Sequence, residues 1–179
     1  MKTIDILQNK LNALALWEEE VTLDRNHFLK VSGSIDTNLY YVVSGSLRMY
    51  TISEYEEHTI RFGYRGSFIA ALDSFITQQP SMYYIQALKK SQLKVISKAR
   101  FDAFIHSQPE HLQLWNELLG ALVVDLLERE QDILISSPLE RYQRVLKRSP
   151  QLFQEIPHKY IAAYLRMTPE TLSRLKKSN

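Results

Sequence analysis

The sequence predicts an α+β chain: a β sandwich or small barrel, then one long helix, then a group of short helices. Three observations carry this. Between about residues 21 and 97, short β-branched and aromatic runs alternate with turn residues. From Pro109 to about residue 136, leucines recur at steps of three and four. Beyond Pro157, two short amphipathic periods flank a turn.

From Thr3 to about Trp17, Ile4, Leu7, Leu11 and Leu14 share one stripe, so an amphipathic helix should pack on the next elements of the chain. Glu18-Glu19-Glu20 reads as a solvated end, not a carboxylate site. Strands are expected at residues 27–31, 39–52, 58–62, 83–87 and 93–96. Ser32-Gly33-Ser34, Ser44-Gly45-Ser46, Gly63, Gly66 and Gln79-Pro80-Ser81 punctuate them, and many short strands at such spacing mean a sandwich or small barrel. Residues 98–106 make a short helix.

In the long helix, Leu112, Trp115, Leu119, Leu122, Leu126 and Ile133 form a heptad-like seam that Arg129 interrupts. Leu114, Leu118 and Ala121 form a second apolar stripe beside it. One stripe can pack on the barrel and leave the other for a partner chain; the alternative is a helix wholly buried in a monomer. Ser137-Pro138-Leu139-Glu140 is a capping box with proline at the first helical position, so it starts a new helix over residues 138–147 and makes 136–137 a hinge.

At the C-terminal end, Tyr160, Ile161, Tyr164 and Leu165 line one side of a first short helix. Arg166-Met167-Thr168 makes a turn, Thr168 an N-cap, Pro169 a first helical residue and Glu170 a favourable first-turn acid. Leu172 and Leu175 point the second helix back onto the first, while Glu170, Ser173, Arg174 and Lys177 share its opposite face. This is the geometry of a helix-turn-helix, whose second helix fits the DNA major groove. It is equally the geometry of a helical hairpin that closes a core.

Composition narrows the function classes. A hydrophobic share of 45% and a charged share of 23% are those of a soluble globular protein. There is no apolar run of bilayer length and no secretory leader pattern, so the expectation is a cytoplasmic protein without a membrane partner. Zero cysteines exclude disulfides and thiolate metal sites. The net charge of +2 hides an asymmetry: residues 137–179 carry nine basic and three acidic side chains, the other 136 residues 13 and 17. A basic end on an acidic chain is the footprint of a polyanion-binding module. His27, His58, His106, His111 and His158 lack the spacing of a barrel metal site. Gly-x-Ser-x-Gly, phosphate-loop and dinucleotide fingerprints are missing too, so neither enzyme activity nor a cofactor is expected.

The run Leu-Lys-Val-Ser-Gly-Ser-Ile-Asp-Thr-Asn-Leu-Tyr-Tyr-Val-Val-Ser-Gly-Ser-Leu-Arg-Met-Tyr, residues 29–50, resembles the first half of a cyclic-nucleotide-binding β-barrel of the Crp/Fnr regulator superfamily. Gly33, residues 39–43, Gly45 and Leu47 match that pattern, and Gly66-Ser67-Phe68 falls where the family's phosphate-binding cassette begins. The resemblance implies a jelly-roll-like sensor barrel with its N-terminal helix over residues 1–108, a dimerisation helix over 109–136 and a helix-turn-helix DNA-binding domain over 137–179. It implies a homodimeric transcription regulator in which an effector sets the angle between two recognition helices. The runner-up is a dimeric barrel protein that acts through protein or small-molecule contacts without specific DNA binding.

The departures are informative. The family's Gly-Glu pair, whose acid holds the ribose, is Ala70-Ala71 here, and its Arg-Ser/Thr-Ala run falls on Ser81-Met82-Tyr83. Alanine accepts nothing from a 2′-hydroxyl, and serine lacks the charged fork that grips a phosphate. The expected pocket, Gly66, Phe68, Ala70, Ala71, Ser81, Met82 and Tyr83, therefore suits a small-molecule effector other than cyclic AMP or cyclic GMP. Arg61 and Arg65 read as surface residues. Met82, Tyr83, Tyr84, Phe68 and Phe75 would line an aromatic pocket or simply fill the barrel. In the DNA-binding motif, the usual turn glycine is Arg166, which must adopt a left-handed backbone, and the sequence to Asn179 leaves no room for a β-wing. Glu170 and Arg174 match base-contacting positions, and Pro169 replaces an arginine. The implied DNA-binding set is Thr168, Glu170, Thr171, Ser173, Arg174, Lys176 and Lys177.

Overall fold

The computed structural model describes residues 3–177. The chain opens with helix α1 (Thr3–Ala13), followed by strands β1 (Glu19–Leu23), β2 (Phe28–Lys30), β3 (Asn38–Ser44), β4 (Ser46–Ser53), β5 (Glu56–Tyr64) and β6 (Phe68–Ile69). Helix α2 (Leu72–Thr77) precedes β7 (Tyr84–Ala87) and β8 (Ser91–Ser97). The rest is helical: α3 (Lys98–Ile105), α4 (Pro109–Leu134), α5 (Pro138–Arg148), α6 (Leu152–Glu155), α7 (His158–Tyr164) and α8 (Pro169–Lys177).

The strands form two antiparallel four-stranded sheets in the orders β1-β8-β3-β6 and β2-β7-β4-β5, which is a jelly roll. Its core is built by alternation: Val42, Leu47, Met49, Ile85, Leu93 and Val95 point inward. Gly45 shows why the expected strand 39–52 is two strands. Its φ is +85°, and a Cβ there would lie 2.3 Å from Ser91 Oγ and 2.4 Å from the Lys90 carbonyl. The chain reverses at this residue, and Ser46 N donates to Ser91 Oγ across the corner (3.1 Å).

The structure corrects four other local readings. Helix α1 stops at Ala13, because Ala15 takes φ 50°, and Leu14 lies beyond it, exposed. Glu18, Glu19 and Glu20 are exposed, as a solvated run should be, but Glu19 and Glu20 also begin an unforeseen strand, β1, opposite Val95 and Lys94. Carboxylates are tolerated there because β1 is an edge strand with one face to water. Strand β6 and helix α2 have no counterpart in the sequence pattern: two residues and six residues are too short for periodicity to report.

Leu7 and Leu11 of α1 pack with Leu39, Ile96, Phe101, Phe104 and Leu114 in a second core. A third core joins the C-terminal helices to the barrel: Phe62 and Leu88 pack with Tyr142, Val145, Leu152, Ile161, Leu165 and Leu172. Ser137 caps α5 as expected, its hydroxyl accepting from Glu140 N (3.3 Å).

Two buried charged groups fasten the junction. Arg141 donates to the Ile135 and Ser136 carbonyls at the end of α4, and to the Leu165 and Arg166 carbonyls in the turn between α7 and α8. Asp132, fully buried, accepts from Arg144 Nε (3.0 Å) and from Arg148.

Arg166 has φ 52°, as the turn requires. A non-glycine residue in that region costs about 1 kcal/mol or more. Arg166→Gly should therefore stabilise the protein by about 1 kcal/mol, read as a higher urea midpoint at unchanged slope. An unmoved or lowered midpoint would mean that the exposed arginine side chain offsets the strain.

Candidate nucleic-acid interface and effector site

Helix α8 is fixed by its two ends and its inner face. Thr168 Oγ1 accepts from Thr171 N (3.2 Å), closing the N-terminus as a cap. Leu172 is fully buried and Leu175 packs against the same core. That orientation leaves Glu170, Arg174, Lys176 and Lys177 exposed, with Ser173 and Thr171 half-buried between them. Its own backbone N–H and the Thr168 hydroxyl, with Arg174 nearby, hold the Glu170 carboxyl below the usual carboxylate range. Arg174 Nη2 lies 3.5 Å from Thr171 Oγ1. The structure thus brings the whole sequence-read set onto one helix and its cap.

His158, at the start of α7, extends this face. With Pro169, Glu170, Ser173, Arg174 and Lys177 it lines a shallow cleft beside α8. Its Nε2 is buried without a hydrogen-bond partner, and burial, then the Lys176 charge, pushes its pKa below the ordinary histidine value. Metal-ligand spacing, the signal by which the histidines were read, is blind to a role of this kind.

The long helix α4 divides its sides between different neighbours. Leu114 and Leu118 face the barrel, where Trp115 also lies, its ring 4.9 Å from Phe101. Leu112 and Leu126 are exposed, while Leu119, Leu122 and Ile133 are half-buried. Val123, Leu127 and Leu134 are exposed on the same side and were not part of the sequence-read seam. Arg129 interrupts that seam because its guanidinium is engaged by the C-terminal helices, 3.8 Å from the Tyr164 ring centroid.

The seven positions read as an effector pocket are divided among two cores, a turn and the surface. Phe68 and Ala70 belong to the core beneath α1 and α3, and Phe68 stacks on Trp17 and meets Tyr41 edge-on. Ala71 and Tyr83 belong to the barrel core, Ala71 with no exposed surface. Gly66 takes φ +87° in the turn before β6. Met82 points to solvent, 62% exposed. Ser81 is buried and held at three points: its N–H donates to Ser34 O (3.0 Å), its carbonyl accepts from Gly33 N (2.8 Å), and its hydroxyl accepts from Tyr83 N (3.1 Å).

Beside Ser81 lies a group that sequence reading missed. Lys30 is buried, and its Nζ donates to Ser34 O (2.6 Å) and Ser34 Oγ (2.8 Å). Burial pushes its pKa down, opposed by the charges of Asp36 and Asp73. A lysine within a short strand gives no sequence sign that it is buried. Among the described residues, no cluster of acids and histidines suits a metal ion.

Residues 20–108 match the family model for the cyclic nucleotide-binding domain. No curated protein sequence matches the chain. Its fold is similar to that of a CooA double mutant from Carboxydothermus hydrogenoformans, with a TM-score of 0.71, 19% identity, and coverage of 96% of this chain and 83% of that one. FixK2 from Bradyrhizobium japonicum gives a TM-score of 0.71 at 16% identity, over 89% of this chain and 83% of that one. CLP of Xanthomonas campestris, described as a c-di-GMP responsive global regulator, gives 0.69 at 16% identity, over 96% and 90%. A further match is described as a CRP/FNR-family transcriptional regulator from Thermus thermophilus (TM-score 0.64, 17% identity, 89% and 84%). The chain therefore carries a cyclic nucleotide-binding domain within the fold of CRP/FNR-family transcription regulators.

Proposed function

We propose that this chain is a homodimeric, DNA-binding transcription regulator of Crp/Fnr type whose effector site has lost its fit for cyclic AMP. In this reading residues 1–108 are the sensor, 109–136 the dimerisation helix and 137–179 the DNA-binding domain. The observation that carries it is the capped helix α8, which buries Leu172 and presents Glu170, Arg174 and Lys177 outward. The partners are duplex DNA and a second copy of the chain, and no catalytic step is part of the reading. Among the described residues no helix is long and apolar enough to cross a membrane.

Dimerisation rests on the outward side of α4, where Leu112, Val123, Leu126, Leu127 and Leu134 are all exposed in the single chain. Two such helices packed side by side would cover them. Leu119→Asp combined with Leu126→Asp should give monomers by light scattering at micromolar concentration. A wild type that is already monomeric there would sink the dimer.

The pocket argument is one of missing partners. Ala71 offers no acceptor to a ribose, and Ser81 already spends its backbone and hydroxyl on Gly33, Ser34 and Tyr83. Calorimetry should find cyclic AMP binding weak or absent. A dissociation constant in the low micromolar range would overturn this and direct attention to Arg61 or Arg65.

On DNA, Arg174 and Lys177 should differ in kind. An arginine that bonds guanine O6 and N7 together discriminates bases by about 1–3 kcal/mol, whereas a lysine on phosphate carries no sequence information. Binding-site selection should return a flattened preference for Arg174→Ala. Lys177→Ala should keep the preference, weaken all duplexes alike and lower the salt slope by about one. Half-sites should lie about ten base pairs apart. Identical preferences for wild type and Arg174→Ala would favour the barrel protein without specific DNA binding.

A further inference from the structure

A column of rings and cations crosses the outer face of the β2-β7-β4-β5 sheet. Phe28 and Tyr84 have ring centroids 6.0 Å apart, and Tyr84 stacks on Tyr50 at 5.1 Å and 17°. The Arg48 guanidinium lies 4.0 Å from the Tyr50 centroid and 4.7 Å from that of Tyr160 on α7. Lys159 Nζ lies 4.5 Å from the same Tyr160 ring. The column is set by the pleat: Leu47 and Met49 of β4 fill the barrel core, so Arg48 and Tyr50 must face outward.

Strand β7 supplies two members of this column. Ile85 and Ala87 are buried in the barrel, while Tyr84 and Gln86 alternate with them on the outer face. Gln86 Oε1 accepts from Arg48 Nε (3.2 Å) and Nη2 (2.8 Å), and Glu57 of β5 takes Nη1. Only 5% of Arg48 is exposed, so the guanidinium stays with the groups that hold it, Gln86 of β7 and Glu57 of β5. Strand β7 begins directly after Ser81, Met82 and Tyr83. The other end of α7 is held separately, by Arg129 over Tyr164 and by Phe62 at 5.4 Å from the Tyr164 ring.

We propose that this column couples the effector rim of the barrel to the first helix of the helix-turn-helix. A shift of β7 moves Tyr84 and Gln86, these move Arg48, and Arg48 moves the Tyr160 end of α7 about its fixed Tyr164 end. The route is separate from the central helix, and it rests on the reading of α7 and α8 as the DNA-reading unit. Arg48, Gln86 and Tyr84 are positioning residues; none of them touches DNA.

The test uses the full chain without DNA. Hydrogen exchange of residues 158–164 is followed by mass spectrometry in wild type, Tyr84→Leu, Arg48→Met and the double variant. Loss of a partly desolvated cation–π contact corresponds to about fivefold faster exchange where opening is local. Tyr84→Leu, a change confined to the barrel, should produce that increase in α7 and add nothing on top of Arg48→Met. Unchanged exchange in α7, or simple additivity, overturns the column. Gln86→Leu, which removes the β7 anchor of Arg48 and a bond to the Asn26 carbonyl but leaves the rings in place, serves by the same criterion if circular dichroism shows Tyr84→Leu unfolded. Because no DNA is present, failure here is distinct from failure of the DNA reading, which binding-site selection on the wild type decides.

Discussion

The C-terminal half of the molecule depends on one guanidinium. Helix α4 ends at Leu134, and the carbonyls of Ile135 and Ser136 that follow it lie outside the helical ladder. The α7–α8 turn presents a second pair of carbonyls. Arg141 reaches all four, Ile135, Ser136, Leu165 and Arg166, with donors held in one rigid plane. Two segments far apart in sequence thereby become one body, and the turn that aims α8 is tied to the end of the long helix. The Asp132 pairs with Arg144 and Arg148 strengthen the same corner. A fully buried carboxylate is tolerable only while its partners stay, so this corner resists substitution more than its exposed surroundings do.

The same corner revises the electrostatic argument. Residues 137–179 carry nine basic side chains, but Arg141, Arg144 and Arg148 spend their charge inside the protein, on carbonyls, Asp132 and Glu128. The six cations left for a polyanion, Lys147, Lys159, Arg166, Arg174, Lys176 and Lys177, are all exposed, and all but Lys147 lie on or beside the α7–α8 unit. A weaker but more localised field results, one that favours the face of α8 over general adhesion to nucleic acid.

Much of the fold was legible because it rests on local periodicity and turn chemistry. The glycine-punctuated strands, the Ser137 cap, the Thr168 cap and the left-handed Arg166 each follow from a residue type or a turn with one low-cost conformation. What escaped was decided by neighbours far away in sequence. The long helix shows this most clearly. A seam running through Trp115 and Arg129 fits the spacing, yet Trp115 is drawn toward Phe101 and Arg129 toward Tyr164, while Val123, Leu127 and Leu134 face outward. A helical wheel gives relative angles but not which angle faces the barrel. At the effector site, the positions that differ from nucleotide binders were readable as letters. That Ser81 is tied to Gly33 and Ser34, with Lys30 buried beside it, depends on a loop closing over a strand and leaves no mark in the sequence.

The docking of α7 on the barrel is strong enough to fix an orientation and weak enough to be changed. Its polar part is a few ring–cation contacts, each worth about 0.5–2 kcal/mol according to how fully it is desolvated. Phe62 and Leu88 add apolar area in a core shared with α5–α8. A ligand shifts such an equilibrium only by the difference in its affinity for the two arrangements, and moving it from one-sided to the other side takes about 5 kcal/mol. In the proposed alignment with nucleotide binders, the ribose acid and phosphate arginine from which a cyclic nucleotide would draw that difference fall on Ala71 and Ser81. On the reading proposed, the difference has to arise instead at the rim, where Ser81 is pinned to the Gly33 loop and β7 begins. That is the end of the barrel from which Tyr84 and Gln86 reach Arg48, so the proposed connection to α7 does not depend on nucleotide contacts.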